Sequence, residues 1–166
     1  MNVDNLIGFV YDKEYKKINK CVKSNIDINI KDEDERTLLM HAVLDTEHDL
    51  NMIRYLLELG IDVNARDKQN WTALHFACQS QKADIITILL NNNAEINIVD
   101  SFGNSPLWRA VMNGRDNIDL IKLLLKHGAN PFQKNSHNNS AYDIAKRTRD
   151  SVLTTLFENY KSIDIQ

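Results

Sequence analysis

Apolar residues in this chain come in short bursts that repeat, not in one long run. The clearest bursts are residues 85–90 and 120–125, where Ile and Leu recur three and four places apart, the period of a helix with one buried face. Beyond the bursts stand Asn25, Gly60, Asn93 and Gly128, residue types that tolerate the left-handed conformation at a helix C-terminus. Ahead of them lie shorter apolar stretches that open on a hydroxyl residue, Thr37, Thr72, Ser105 or Ser140. Such a side chain predicts a helix N-cap worth ~1 kcal/mol. Five places on stand Ala42, Ala77, Ala110 and Ala145, small enough for a neighbouring helix to approach closely. The pattern therefore predicts pairs of short helices, each pair followed by an extended turn leading to Asp32, Asp67 or Asp100.

The pairs keep a constant spacing. The four alanines are separated by 35, 33 and 35 residues, and a second phrase stays in step with them: Asn25-Ile26-Asp27-Ile28-Asn29, Gly60-Ile61-Asp62-Val63-Asn64, Asn93-Ala94-Glu95-Ile96-Asn97 and Gly128-Ala129-Asn130-Pro131-Phe132. Two phrases in register make this an internal repeat. The two longer intervals place extra residues in helix-to-helix loops at 45–49 and 113–117, where insertions are best tolerated.

Thr72-Ala73-Leu74-His75 and Ser105-Pro106-Leu107 resemble the ankyrin family, whose repeat of about 33 residues carries a T-P-L-H-x-A signature. The resemblance covers nearly the whole chain and is fullest from residue 32 to 134; in residues 1–31 only the second half of a repeat is legible. It implies an all-α repeat solenoid of about five helix-turn-helix units joined by β-hairpin loops. The units form a single domain: an atypical N-terminal cap at 1–31, full repeats at 32–66, 67–99 and 100–134, and a C-terminal cap at 135–166. Such units are stable only when stacked, and the end units turn a polar face outward. Lys13, Glu14, Lys16, Lys17, Lys20 and Lys23 suit one end; Lys146, Arg147, Arg149 and Asp150 suit the other.

Composition narrows the function. With 166 residues, 43% hydrophobic and 26% charged, the chain is long and apolar enough to fold as one compact unit. A net charge of -3 gives no broad basic field, so no nucleic-acid partner is expected. No apolar run approaches the roughly 20 residues of a membrane span, and the first residues mix Asp, Glu and Lys into their apolar stretch, so a cytoplasmic protein is expected. Cys21 and Cys78 have neither disulfide-framework nor zinc spacing. They read as buried thiols, with no metal or cofactor.

The side chains that could carry catalysis are His41, His48, His75, Cys78 and His127. His75 and Cys78 lie three apart on one predicted helix, the one arrangement that suggests a small enzyme. Nothing nearby would orient a base, as nucleophilic catalysis requires. The resemblance makes His75 the structural motif histidine and puts Cys78 at a packing position, so no enzyme is expected. His127 is explained by the helix end beside it. By the same resemblance Asn29, Asn64 and Asn97 stabilise hairpin backbone, and Trp108, at the motif-histidine position, packs.

Fold alone does not state function. The resemblance implies an extended binding face made of hairpin tips and first helices. The tip positions are Glu33, Asp34 and Arg36, then Lys68, Gln69 and Trp71, then Ser101, Phe102 and Asn104, with His137 and Asn139 beyond; the helix positions are Leu44, Asp45, Gln79, Ser80, Met112 and Asn113. Trp71 and Phe102 read as aromatic anchors for a protein partner, with Trp71 and the acidic second repeat central, or as rings folded back to shield a helix start. The run Asp32-Glu33-Asp34-Glu35 with Asp45, Glu47 and Asp49 is either a solvated face or a means of steering a partner with a basic surface. The expected function is protein binding by a monomer. It would act as an inhibitor or immunity protein of a toxin or enzyme, or else as a scaffold or host-targeted adaptor. A third reading is self-association through an apolar end around Leu6, Ile7, Phe9 and Val10.

Overall fold

The computed structural model describes residues 3–47 and 49–161. Among them are ten helices: α1 (Val3–Tyr11), α2 (Tyr15–Lys23), α3 (Leu38–Leu44), α4 (Leu50–Glu58), α5 (Ala73–Gln79), α6 (Ala83–Asn91), α7 (Pro106–Asn113), α8 (Ile118–Lys126), α9 (Ala141–Arg147) and α10 (Ser151–Lys161). No strand forms among the described residues, so this is an all-α repeat architecture in which the loops between pairs turn without building a sheet.

The helices begin where the hydroxyl residues stand. Thr37 accepts from the Met40 amide at 3.4 Å, and Ser105 accepts from Trp108 at 3.2 Å. Ser140 and Asp143 cap each other reciprocally at the start of α9. At α5 the reciprocity falls to a histidine: the Thr72 amide donates to Nδ1 of His75 at 3.2 Å. Beyond the second helices, Asn25, Gly60, Asn93 and Gly128 all have positive φ, between 57° and 87°, which closes those helices as their residue types predict.

Turns within pairs are of two kinds. Loops 12–14, 80–82 and 148–150 are three residues long, and each holds a left-handed residue, Lys13, Gln81 or Arg149. Where the repeat is longer, loop 45–49 has five residues, and none of its described residues is left-handed. In the other long repeat one added residue extends α7 and the other sits in loop 114–117. Asn113, assigned from the sequence to that loop, therefore ends α7.

The described residues pack as two compact units, one up to Ala77 together with Asp84–Ala94, the other Cys78–Ala83 with the chain from Glu95 onward. In the first, α1 lies on α3 and each of these also packs on its own second helix. Leu6, Ile18, Leu38, Leu39, Ile53, Leu56, Leu74, Ile86 and Leu89 form its core. In the second, α7 lies on α9 around Leu107, Val111, Ile121, Leu124, Ile144, Leu153 and Phe157. Ala42, Ala77, Ala110 and Ala145 are all buried, as close helix approach requires. Leu6 and Val10 are buried as well, four apart on α1. The exposed apolar end read from the sequence thus loses two of its four residues to the core.

Candidate functional site

Four hairpin tips share one construction. An acceptor side chain at the first position, Asp32, Asp67, Asp100 or Asn135, takes the amides two and four residues on at 2.7–3.0 Å. The first and fifth residues are also bonded through the backbone, Asp32 N to Arg36 O and Asp67 N to Trp71 O, for example. The fourth residue is left-handed in every case: Glu35, Asn70, Gly103 and Asn138. Tips are tied to one another too. Lys68 N donates to Asp34 O at 3.0 Å in the first unit, and Ser136 N donates to Phe102 O at 2.9 Å in the second. The side chains at the tips thus project from backbone most of whose donors are already satisfied. The recurring Asp was visible in the sequence, but its turn-closing role was missed.

Ionic partners differ from tip to tip. Asp32 accepts from His41 Nε2 at 2.9 Å, and the same position nine residues on supplies Arg109 to Asp100. For Asp67 that position is Phe76, and the nearest cation is Arg36, whose Nε stands 4.0 Å away. Neither Arg36 Nε nor Asp67 Oδ2 has a hydrogen-bond partner among the described residues; the Arg36 guanidinium lies over the Phe76 ring, 5.7 Å from its centre. Burial works to raise the Asp100 carboxyl, but Arg109 and the Asn104 and Phe102 amides outweigh it and hold it below the usual carboxylate range.

The residues read from the sequence as contacts fare differently. Phe102 is 54% exposed and Met112 46%. Glu33, Asp34, Lys68, Gln69, Gln79, Ser80, Ser101 and Asn113 are exposed as well. Arg36 and Asp45 are half-buried, Arg36 paired with Asp34 at 3.6 Å and Asp45 forming the C-cap of α3. Asn104 is a correction: it is 5% exposed, and its side chain bonds Asp100 Oδ2 at 3.2 Å and accepts from Asn135 at 2.7 Å. Its amide holds neighbouring tips together and offers no surface. Trp71 is half-buried, with its ring 4.9 Å from Phe76 and 5.9 Å from His75, the folded-back arrangement. The acidic run is partly engaged: Lys13 forms an ion pair with Glu47, His41 hydrogen-bonds Asp32 at 2.9 Å, and Tyr15 donates to Asp49 at 2.8 Å.

A family model described as ankyrin repeats (3 copies) matches residues 10–100 and 92–166. This chain is an ankyrin-repeat protein. An ankyrin repeat protein of Acanthamoeba polyphaga mimivirus is 31% identical over 124 residues, 74% of this chain and 16% of that protein. An ankyrin repeat-containing protein of Treponema pallidum (strain Nichols) is 30% identical over 154 residues, 92% of this chain and 50% of that one. Serine/threonine-protein kinase 12 of Arabidopsis thaliana is 38% identical over 102 residues, 61% of this chain and 22% of the kinase. The chain thus spans half or less of the length of these relatives. Ankyrin repeats generally mediate protein–protein interaction.

In this ankyrin-repeat protein the phrase asparagines are structural, and they join successive units. Asn29 accepts from the Asp62 amide at 2.8 Å, Asn64 donates to Asn93 O at 3.2 Å, and Asn97 bonds Gly128 O at 2.9 Å and the Asn130 amide at 2.8 Å. The His75/Cys78 pair supplies no nucleophile. Both residues are fully buried, His75 Nδ1 is occupied by Thr72, and burial pushes the Cys78 thiol far above its ordinary value. Asp32, His41 and the Tyr11 hydroxyl do form a relay, with His41 Nδ1 3.0 Å from Tyr11. The Tyr11 pKa is raised, by burial and then by Asp45, which is the wrong direction for an activated phenolate. No three His, Cys, Asp or Glu side chains converge as metal ligands among the described residues. His48 lies outside them, and no described helix is long and apolar enough to cross a membrane.

Proposed function

We propose that the chain binds another protein through its hairpin tips and the exposed ends of its first helices, with Phe102 as the principal anchor. Phe102 carries the reading: an aromatic ring more than half exposed, on a turn closed by Asp100 and tied to Ser136. A rigid apolar group loses little entropy on binding, and interface energy concentrates in such anchors. Met112, exposed at the end of α7, supports the same face. Exposed Glu33 and Asp34 in the first unit favour a partner with a basic surface, through faster association more than tighter binding. In this reading the units 1–31, 32–66, 67–99, 100–134 and 135–166 act as one domain, monomeric when free and cytoplasmic. It blocks a partner's own site, as an inhibitor or immunity protein does.

Affinity capture from the source organism's lysate tests this, with wild type run beside a folded Phe102→Glu, Met112→Glu variant. A protein retained only by wild type is the expected result, and suppression of that protein's activity makes the role inhibitory. Equal retention by both forms removes the site from Phe102. The second reading is an adaptor that recruits without inhibiting; a captured protein whose activity is unchanged selects it.

A further inference from the structure

The first helix pair carries a recess that has nothing to do with the tips. A hollow of about 300 Å³ is lined by Phe9 of α1, Lys17, Lys20 and Cys21 of α2, and Ser24 and Ile26 beyond α2. The Phe9 ring and Ile26 are half-buried, so part of each apolar face meets water there. Charge surrounds the recess unevenly. Residues 13–23 hold Lys13, Lys16, Lys17, Lys20 and Lys23 against Glu14 alone. Lys13 is paired with Glu47, and Lys17 with Glu14 at 2.8 Å, its ammonium 5.1 Å from the Phe9 ring centre. Lys16, Lys20 and Lys23 are exposed and enter no ion pair among the described residues. At helical spacing 16, 20 and 23 share one stripe, and Lys20 lines the recess itself.

We propose that this recess docks an acidic peptide segment, seating one large apolar side chain against Phe9, Cys21 and Ile26 while carboxylates on either side meet Lys20 and its neighbours. The volume is at the lower end of pockets that enclose small ligands, which suits a single side chain. Charge complementarity selects an anionic partner, since the uncompensated lysines would gain counter-charges on binding. A lipid surface is the poorer match. Interfacial helices push apolar side chains out beyond their charges, whereas here the apolar groups lie recessed and the lysines stand at the rim. Nothing in this site depends on Phe102 or the acidic tip, so it stands or falls separately from the proposed function.

The test uses the full chain and a synthetic peptide of alternating Glu and Ser with one central Leu, followed by amide chemical shifts. Two control peptides replace Leu by Ser, or every Glu by Gln. The expected result is saturable binding with shifts confined to Phe9, Lys17, Lys20, Cys21, Ser24 and Ile26. Each control peptide should bind about tenfold more weakly. Lys17→Glu with Lys20→Glu, both at exposed positions, should cost a similar factor, and Phe102→Glu should leave binding unchanged. Equal binding of the Leu and Ser peptides would reduce the site to diffuse charge and overturn the proposal. So would shifts elsewhere on the chain, or no shift at millimolar peptide. Binding to phosphatidylserine vesicles that the lysine variant abolishes, without peptide binding, would assign the recess to a lipid instead.

Discussion

Glu35 occupies the left-handed fourth position of its tip, with φ at 61°, where a side chain is strained and glycine is not. Its only ion pair among the described residues, with Lys31 at 3.9 Å, is exposed and contributes little. Glu35→Gly should therefore stabilise the protein by about 0.5–1 kcal/mol, read as a higher urea midpoint at unchanged slope. Gly103 is the opposite case at the equivalent position. A Cβ there would meet Ser136 N at 3.0 Å and the Asn135 Cα at 3.1 Å, both backbone atoms. Gly103→Ala should cost more than about 1 kcal/mol, because left-handed strain adds to displacement of the next tip. Thermal unfolding of the two variants, moving in opposite directions, checks both.

At the scale of the element, the tips form a series in which one substitution has different consequences. Asp100 accepts through Oδ1 from the Phe102 and Asn104 amides, both at 2.9 Å, and through Oδ2 from Asn104 and Arg109. Replacing it by Asn leaves the half-buried Arg109 guanidinium without its counter-charge, at about 2–3 kcal/mol. Asp67 holds the Gln69 and Trp71 amides in the same way, at 2.9 and 2.8 Å, but its Oδ2 accepts nothing among the described residues. Asp67→Asn keeps the accepting oxygen, so its cost should stay within about 1 kcal/mol. Parallel urea titrations distinguish the two. Equal losses would mean that the tips are held by their amide bonds alone.

Over the whole molecule, paired carboxylates make stability depend on acid. Burial raises Asp32, Asp49, Asp100 and Asp143, but hydrogen bonds and nearby cations outweigh it at each, leaving all four below the ordinary value of 3.8 and Asp143 at about 2. A depressed folded pKa means that the unfolded chain binds protons first. The contribution is therefore fully present above the ordinary carboxylate range and is lost as pH falls through the folded values. Stability should be flat in this respect near pH 6 and decline from about pH 5 toward 2, followed by urea midpoints across that range. Asp143→Asn, which keeps an accepting oxygen for Ser140 but removes the titratable charge that pairs with Lys134, should flatten the acid end of the curve.

Much of this was legible in the chain because it is local. The stops at Asn25, Gly60, Asn93 and Gly128, the caps at Thr37, Ser105 and Ser140, and the loop at 45–49 depend on residues within a turn or two of each other. A hydroxyl or a glycine therefore announces them directly. Ankyrin membership followed from the same local phrases repeated in register. Tertiary packing decided the rest, since burial depends on what distant residues bring. Asn104 looked like a surface contact until Asn135, 31 positions on, arrived to bond it. Trp71 folds onto Phe76, while Phe102, two residues past the Asp of its own tip, stays in water. The α1 helix carries no repeat motif and is held by the helices it packs against. The recess beside Phe9 and Lys20 has walls from α1, α2 and the segment beyond them, and it exists only once those elements have packed together.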